Sequence, residues 1–368
     1  MNNRFGPRNL NYLPSEISVK IDQMLNQPGQ WLRGDGPEND IVISSRIRLA
    51  RNLTGFPFIA RSNEQDRTQV EAAVLEILPR IFEEDEILKI DLQKIPQIDR
   101  SFLLERQLIS REIVENAGPR CAVIDRDERF SIMVNEEDHI RIQAVTSGLA
   151  PDKAWECIDK LDDKLESQIN FAFSEKLGYM TACPTNVGTG MRVSVMLHLP
   201  GLVMSKEIEK VFRSLQKVNL AVRGMYGEGS QALGDFFQIS NQITLGKTEE
   251  ELLRKVSDII PQIISYERQA RDFLRKEKLD SVMDRSSRAV GLLSTAQTIS
   301  SEEAMEHLSS IRLGVNMELI DAPDIKTIND LLLHIQPAHL QKLAGTTLNA
   351  AERDLARAQY LRKRLAAK

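Results

Sequence analysis

Apolar and polar residues alternate between Asp40 and Leu49, and this alternation restricts the fold more than any other feature of the sequence. A period of two is typical of a β-strand, whose successive side chains point to opposite faces of a sheet. One face would carry Arg46 and Arg48, and the other Ile41, Ile43, Ile47 and Leu49. Two neighbouring arginines repel each other unless an anion lies between them. We therefore predict a half-buried strand with an anion-binding face; the alternative is an ordinary strand with a solvated basic face.

A second strand-like stretch, from Val134 to Ile142, contains several carboxylates. If it is extended throughout, Ile140 and Ile142 face the core, and the opposite face carries Glu137, His139 and Arg141. An acid beside an arginine on one face can hold a guanidinium and a phosphate side by side. This stretch is therefore a candidate part of a site that brings those two groups together.

Two glycine-containing loops complete the set of candidate motifs. In the segment 183–192, glycines would let backbone N–H groups approach a phosphate, and Arg192 would add a bidentate donor. This loop is neither a Walker loop nor a dinucleotide fingerprint. The segment 223–230 places Glu228 among glycines, and such loops often close over a ligand. The alternative for both segments is a surface turn.

Composition excludes several classes of protein. With 368 residues, 42% hydrophobic and 27% charged, the chain is long enough for one large or two moderate globular domains. A net charge of −5 weighs against direct nucleic-acid binding. We expect neither a membrane span nor a signal peptide. The three cysteines, Cys121, Cys157 and Cys183, are far apart, which predicts a reducing cytoplasm without disulfides. The sequence predicts no protein-ligated metal site.

The periodicity of the chain changes near residue 247. Before it, the pattern predicts strands over 40–49, 121–124, 130–134 and 236–245, with helices over 63–84, 151–176 and 205–218. After it, the pattern is helical only, with a kink expected at Pro261 and helices over 300–312, 325–343 and 350–366. We predict an α+β fold in three parts: a loosely ordered lead (1–35), a sheet domain with flanking helices (36–246) and a helical C-terminal domain (247–368).

The four motifs together resemble the phosphagen (ATP:guanido) kinase superfamily, which includes creatine and arginine kinases, and most closely its bacterial protein arginine kinase branch. The resemblance is carried, in the family's order, by Ser44–Arg48, Asn135–His139, Cys183–Gly190 and Arg223–Glu228. It implies the family's antiparallel sheet flanked by helices. It also implies ATP and Mg²⁺ as cofactors, with Mg²⁺ held mainly by phosphates and water.

The resemblance also assigns roles to residues. It implies that Glu137 and Glu228 hold the substrate guanidinium, and that Cys183 lies against it. Gln107 stands where the family often has a histidine that contacts the nucleotide. The residues implied to bind ATP are Ser44, Ser45, Arg46, Ile47, Arg48, Gln107, Arg141, Arg192, Val193, Ser194, Val195, Met196, Arg223, Gly224, Met225, Tyr226 and Gly227.

The short segment before the first motif favours a protein substrate. Creatine and arginine kinases carry a helical domain there that closes over a small guanidine, whereas here only 43 residues precede Ser44. We expect an open site that phosphorylates exposed arginines of proteins, marking them for regulation or degradation in the stress response. Two alternatives remain: a kinase of a free guanidine, and a non-catalytic phosphoarginine-binding adaptor. The resemblance implies a homo-oligomer, with a dimer expected, and as partners a stress-gene repressor, a zinc-binding activator and a Clp-type unfoldase.

The last motif, Arg353–Ala358, resembles a motif of the same branch that is linked to allosteric phosphoarginine binding. Arg353 and Arg357 lie four residues apart on a predicted helix and therefore share a face. The resemblance implies that they bind phosphoarginine together with Asp354 and Ala358. The alternative is that these basic residues simply favour the negative end of the helix dipole.

Overall fold

The computed structural model describes residues 16–224, 233–320 and 323–366, and its centre is an antiparallel sheet of eight strands. The strand bounds are β1 Val42–Arg51, β2 Ile87–Asp91, β3 Cys121–Asp125, β4 Phe130–Val134, β5 Ile140–Ser147, β6 Phe173–Ser174, β7 Gly178–Tyr179, β8 Met191–His198, β9 Leu220–Gly224 and β10 Phe236–Asn241. The order in the sheet is β2-β3-β4-β5-β1-β8-β10-β9, and β6 and β7 form a separate hairpin. The strands that carry Ser44–Arg48 and Arg223 thus lie in one sheet.

Helices cover both faces of this sheet. Their bounds are α1 Glu16–Gln23, α2 Glu64–Ile81, α3 Gln97–Glu105, α4 Arg111–Glu115, α5 Pro151–Glu166, α6 Pro200–Met204, α7 Ile208–Lys217, α8 Glu249–Glu277, α9 Leu279–Thr295, α10 Ser301–Asn316, α11 Ile325–His334, α12 Pro337–Ala344 and α13 Ala350–Ala366. Several begin at side-chain caps: Asn63 for α2, Thr248 for α8 and Ser300 for α10 each accept a hydrogen bond from the backbone N–H three residues later.

The first face of the sheet is apolar along its length. Ile47 and Leu49 of β1 point to it and pack in one cluster with apolar side chains of α2, α5 and α8. The second face is divided. At one end Val145 and Met196 pack under the C-terminal helices, and on β3 and β4 a third cluster packs against α1 and α3. Between these apolar areas, the second face carries polar and charged side chains.

The structure confirms the α+β class and corrects several local predictions. Ile43 packs on the second face, away from Ile47, because the pairing of β1 with β8 shifts register between Val42 and Ser44. The predicted long helix 151–176 ends at Glu166, and the predicted helix 325–343 is divided into α11 and α12, with Pro337 as the first residue of α12. Helix α8 contains Pro261 without ending there, and the kink expected at Pro261 stays a prediction.

The segments beside the predicted domain boundaries contact the sheet. Within the predicted N-terminal lead, Glu16–Gln23 form α1, and Trp31 and Leu32 are buried. Helix α8, just after residue 247, packs into the same apolar cluster as the sheet. The division at residue 247 stays a prediction. Among the described residues, no helix is long and apolar enough to cross a membrane.

Candidate active site

Five arginines meet on the second face of the sheet, and we call them the arginine cluster. Arg46 and Arg48 lie on β1, and Arg48 stands directly opposite Arg192 of β8. Arg141 belongs to β5 on the other side of β1, and Arg223 to β9 near the sheet edge. All five line one cleft of about 630 Å³. The sheet therefore gathers residues that are up to 177 positions apart in sequence.

The arginine cluster is electrostatically unfavourable by itself. Like charges directly opposite each other on neighbouring strands destabilise a sheet. Burial, with the charges of Arg192 and Arg141, lowers the pKa of Arg46 to about 10. Burial and the same neighbours, together with Arg46, also hold the pKa of Arg48 well below its usual value. A bound polyanion would reverse these effects, because it restores a favourable environment for each guanidinium.

Two buried donors in the cleft also suit an anionic or acceptor-rich ligand. Arg48 Nε and Gln107 Nε2 have no hydrogen-bond acceptor among the described residues. Buried polar groups normally have a partner, so an unpaired donor in a cleft indicates a ligand position. The two oxygen atoms of Gln107 do have partners: its Oε1 accepts from Arg46 Nη1 at 3.4 Å, and its backbone oxygen accepts from Gln143 Nε2 at 2.6 Å.

The carboxylates belong to the turn between β4 and β5, residues 135–139, which we call the carboxylate turn. Asn135 begins it with a positive φ of 60°, so the stretch is not the continuous strand that the sequence predicted. Glu137 still lies beside Arg141, with Glu137 Oε2 accepting from Arg141 Nη2 at 2.9 Å. The Glu137 side chain keeps 42% of its surface exposed and faces the cleft. It can therefore accept a hydrogen bond from a further cation.

His139 does not share this face. It is fully buried, and its Nδ1 accepts a hydrogen bond from the Leu53 backbone N–H at 3.0 Å. The other ring nitrogen, Nε2, lies 2.9 Å from the Pro57 carbonyl oxygen and therefore carries the proton. Burial lowers the pKa of His139, which keeps the ring neutral. This histidine holds the end of β1 against the carboxylate turn.

Glu136 is a residue of the site that the sequence analysis missed. Its carboxylate is fully buried and accepts from Arg141 Nη1 and from the Glu137 backbone N–H, both at 2.9 Å. The hydroxyl of Ser110 also donates to it. Glu136 thus fixes Arg141 from beneath while Glu137 contacts it at the surface. Its position beside Glu137 in a run of acids was the available signal.

The loop 182–190, which we call the cysteine loop, forms another wall of the cleft. Cys183, Thr185 and Asn186 line it. Cys183 Sγ lies 3.0 Å from Thr185 Oγ1, and Cys183 is partly exposed. The loop is attached to the carboxylate turn, because the Ala182 backbone N–H donates to Asp138 Oδ1 at 2.7 Å.

Asn52 joins these two parts and was also missed in the sequence. Its side-chain amide donates to Asp138 Oδ1 at 2.7 Å and to the Met180 carbonyl at 3.0 Å. Its Oδ1 accepts from the His139 backbone N–H at 2.9 Å. A single buried amide therefore fixes the end of β1, the carboxylate turn and the approach to the cysteine loop. No periodic pattern in the sequence indicates this role.

Several residues of the implied ATP-binding runs lie elsewhere. Successive residues of a strand point to opposite faces, so only alternate side chains reach the cleft. Ile47, Val193 and Val195 are in the core of the first face, Met196 packs under the C-terminal helices, and Ser45 Oγ donates to Gly148 O. Ser44 is buried, and Ser194 Oγ donates to Arg46 O. Gly224 pairs with Phe237, whereas Met225, Tyr226, Gly227 and Glu228 lie outside the described residues.

The C-terminal motif lies on α13, away from the cleft. Arg357 is buried, and it donates to the Ile335 and Ile299 carbonyls at 2.9 and 2.8 Å and to Asp354 at 2.6 Å. Arg353 is less buried and donates to the Leu348 carbonyl at 2.9 Å. Ala358 is buried beneath them. The two arginines thus differ in how far they are available to a ligand.

Two family models match this chain. A family model described as "ATP:guanido phosphotransferase, C-terminal catalytic domain" matches residues 69–270. A second, described as "Protein-arginine kinase McsB C-terminal domain", matches residues 279–368. Among solved structures, a duplicated taurocyamine kinase from Schistosoma mansoni has a TM-score of 0.59 and 26% identity, over 64% of this chain and 34% of that one. The chain thus spans about a third of that duplicated kinase. A lombricine kinase has a TM-score of 0.57 and 24% identity, over 64% of this chain and 69% of its own, and shares the fold.

Two relatives match nearly from end to end. The protein-arginine kinase of Halothermothrix orenii is 45% identical over 94% of this chain and 99% of its own length. That of Symbiobacterium thermophilum is 47% identical over 92% of this chain and 97% of its own length. The chain belongs to the protein-arginine kinases, within the ATP:guanido phosphotransferase family.

Proposed function

We propose that this chain transfers the γ-phosphoryl group of ATP to arginine side chains of proteins. The observation that carries the proposal is the arginine cluster, with the lowered pKa values of Arg46 and Arg48 and two buried donors that have no acceptor among the described residues. Phosphoryl transfer depends mainly on alignment and on stabilisation of charge, and such a cluster supplies both. The role of each residue below is part of the proposal.

The phosphate side of the site consists of Arg46, Arg48, Arg141, Arg192 and Arg223. Each guanidinium offers a planar fork of donors that matches phosphate oxygens. Arg141 is held by Glu136 and Glu137, so its direction is set before ATP binds. Gln107 would contact the nucleotide with its unpaired Nε2. Mg²⁺, bound mainly by phosphate and water oxygens, would neutralise the charge that develops on the phosphates.

The guanidinium side consists of Glu137, Glu228 and Cys183. An arginine side chain has a pKa of about 12.5–13.8 and is a poor nucleophile while protonated. A carboxylate at the reacting nitrogen both aligns it and accepts its proton. The nitrogen forms a bond to the γ-phosphorus as the bond to the β–γ bridging oxygen breaks, and ADP leaves. Glu228, outside the described residues, would contribute the second carboxylate that holds the substrate guanidinium.

The wider biological setting is also part of the proposal. We place the reaction in the cytoplasm, on proteins with exposed arginines. A stress-gene repressor, a zinc-binding activator and a Clp-type unfoldase are the proposed partners, and a dimer the proposed oligomer. The Arg353–Ala358 motif would bind phosphoarginine as a regulatory ligand. Because Arg357 already donates hydrogen bonds to two carbonyls and Asp354, we expect Arg353 to contact the phosphate first.

One assay tests this function against its alternatives. The protein is incubated with ATP and Mg²⁺ and with either an unfolded basic protein or free arginine, and acid-labile phosphate is measured on each. Transfer to the protein is the expected result. Transfer only to free arginine would indicate a kinase of small guanidines. Absence of transfer, with binding of phosphoarginine, would indicate an adaptor.

A further inference from the structure

Four large apolar side chains are exposed beside the cysteine loop, and we call them the apolar rim. Phe173 and Leu177 belong to the β6–β7 hairpin and are 59% and 43% exposed. Ile243 and Leu245 follow β10 and are 44% and 49% exposed. Exposed apolar residues are ordinary when scattered, but a group of them beside a loop that lines a candidate substrate cleft indicates a contact surface.

The three chain segments that form this region are packed closely against one another. Tyr179 N donates to Gly188 O at 2.7 Å, and the Thr244 hydroxyl lies 2.9 and 2.7 Å from the Thr185 and Val187 carbonyls. A Cβ at Gly178 would lie 2.4 Å from Gly188 O, so the close approach requires glycine there. The cysteine loop is therefore held between the hairpin and the segment after β10.

Phe173 of the apolar rim packs on Tyr179, which in turn packs on a buried ion pair. The Phe173 ring meets the Tyr179 ring edge to face, with centroids 5.3 Å apart. Tyr179 in turn covers the Arg51 guanidinium, whose carbon is 3.5 Å from the ring centroid, and Arg51 forms a buried ion pair with Asp162. A surface fixed in this way can contact a ligand without first being ordered, which lowers the entropic cost of binding.

We propose that the apolar rim binds apolar side chains of the protein substrate on either side of the target arginine. This inference rests on the proposed function. The cysteine loop joins the rim to the cleft, because Cys183 lines the cleft while Gly188 and Val187 contact the two segments that carry the rim. A substrate arginine that reaches Cys183 and Glu137 would bring its own neighbours over the loop. Folded proteins bury most large apolar side chains. The rim therefore selects arginines in unfolded segments with apolar neighbours.

Kinetics with two peptides tests the proposal. One peptide carries leucine or phenylalanine at the positions around a single arginine, and the other carries serine there. Phe173→Ser and Leu245→Ser alter the rim from its two separate segments, and Met283→Ser, 41% exposed on α9, is the matched control. We expect each rim variant to raise KM for the apolar peptide roughly tenfold, through lost apolar contact, with kcat unchanged. KM for the serine peptide, which reports an intact active site, should not change.

The possible failures are distinguishable. If both rim variants keep the wild-type KM for the apolar peptide, the apolar rim does not bind substrate. If they raise KM for both peptides equally, or change the sedimentation of the protein without peptide, the rim is a structural or self-association surface. If the wild type phosphorylates neither peptide, the proposed function itself fails, and the rim proposal fails with it.

Discussion

Asp138 and Ala182 are joined by a hydrogen bond of 2.7 Å, from the Ala182 backbone N–H to Asp138 Oδ1. This bond connects the carboxylate turn to the cysteine loop, so the carboxylates and Cys183 face the same cleft at a fixed separation. Asp138 is fully buried, and Asn52 donates to the same oxygen. The geometry on the guanidinium side therefore depends on Asp138 and Asn52, which do not themselves line the cleft.

Replacing Asn52 with alanine should disturb that geometry. Asp138 Oδ1, the Met180 carbonyl and the His139 N–H each lose a partner, and a buried polar group left unpaired costs about 1–3 kcal/mol. We expect lower stability in urea unfolding, a lower kcat and faster alkylation of Cys183, because the cysteine loop is released. Asn26→Ala, at an exposed position, is the control. Wild-type kcat and alkylation rate in Asn52→Ala would show that Asn52 has no positioning role.

Cys183 should be the first cysteine to react with iodoacetamide. Burial raises the pKa of the Cys121 thiol well above its usual value, and burial also raises that of Cys157, so neither is readily ionised. Labelling of Cys183 should stop transfer, and ATP with a protein substrate should slow the labelling. Cys183→Ser should retain reduced activity, whereas Cys157→Ser should match the wild type. Peptide mapping locates the label, and loss of activity that follows labelling at Cys121 or Cys157 would contradict the assignment.

Arg353 and Arg357 should respond differently to alanine. Arg353→Ala should weaken phosphoarginine binding by roughly tenfold or more, since a charge-assisted bond to phosphate contributes about 1.5–3 kcal/mol. Its unfolding free energy should change little. Arg357→Ala should also destabilise the protein, because a buried guanidinium and three hydrogen bonds are lost. Titration calorimetry with phosphoarginine measures the affinity of each variant, and urea unfolding measures its stability. Equal affinity of Arg353→Ala and wild type would remove Arg353 from the site.

Strand alternation allowed much of the arginine side of the site to be predicted. Arg46 and Arg48 were correctly placed on one face, and both line the cleft. By the same alternation Arg51, three residues beyond Arg48, belongs to the opposite face, where it forms a buried ion pair with Asp162. The same rule failed at Ile43, where a register shift reverses the faces, and at His139, where the chain turns instead of continuing as a strand. Both failures arise from backbone irregularities that periodicity does not encode.

The links between motifs were less accessible to sequence reasoning. Asn52 bonds to residues that are far away in the chain, and a lone buried amide has no periodic signature in the sequence. Glu136 belongs to a turn, where strand alternation does not apply. The hydrogen bonds from Arg357 to two backbone carbonyls likewise depend on how α13 packs against the end of α11. Such contacts are set by tertiary packing, which the resemblance alone does not describe.

The transfer rate of Glu137→Gln tests the central claim most directly. The substitution keeps the size of the side chain and an acceptor for Arg141, but it removes the base and the negative charge that would hold the guanidinium. We predict that phosphorylation of a protein substrate falls by at least about a hundredfold, as expected for loss of a general base, while ATP binding measured by calorimetry stays close to that of the wild type. Glu84→Gln, at an exposed position, should behave as the wild type. If Glu137→Gln keeps more than about a tenth of the wild-type rate, the carboxylate is not the base, and the account is contradicted.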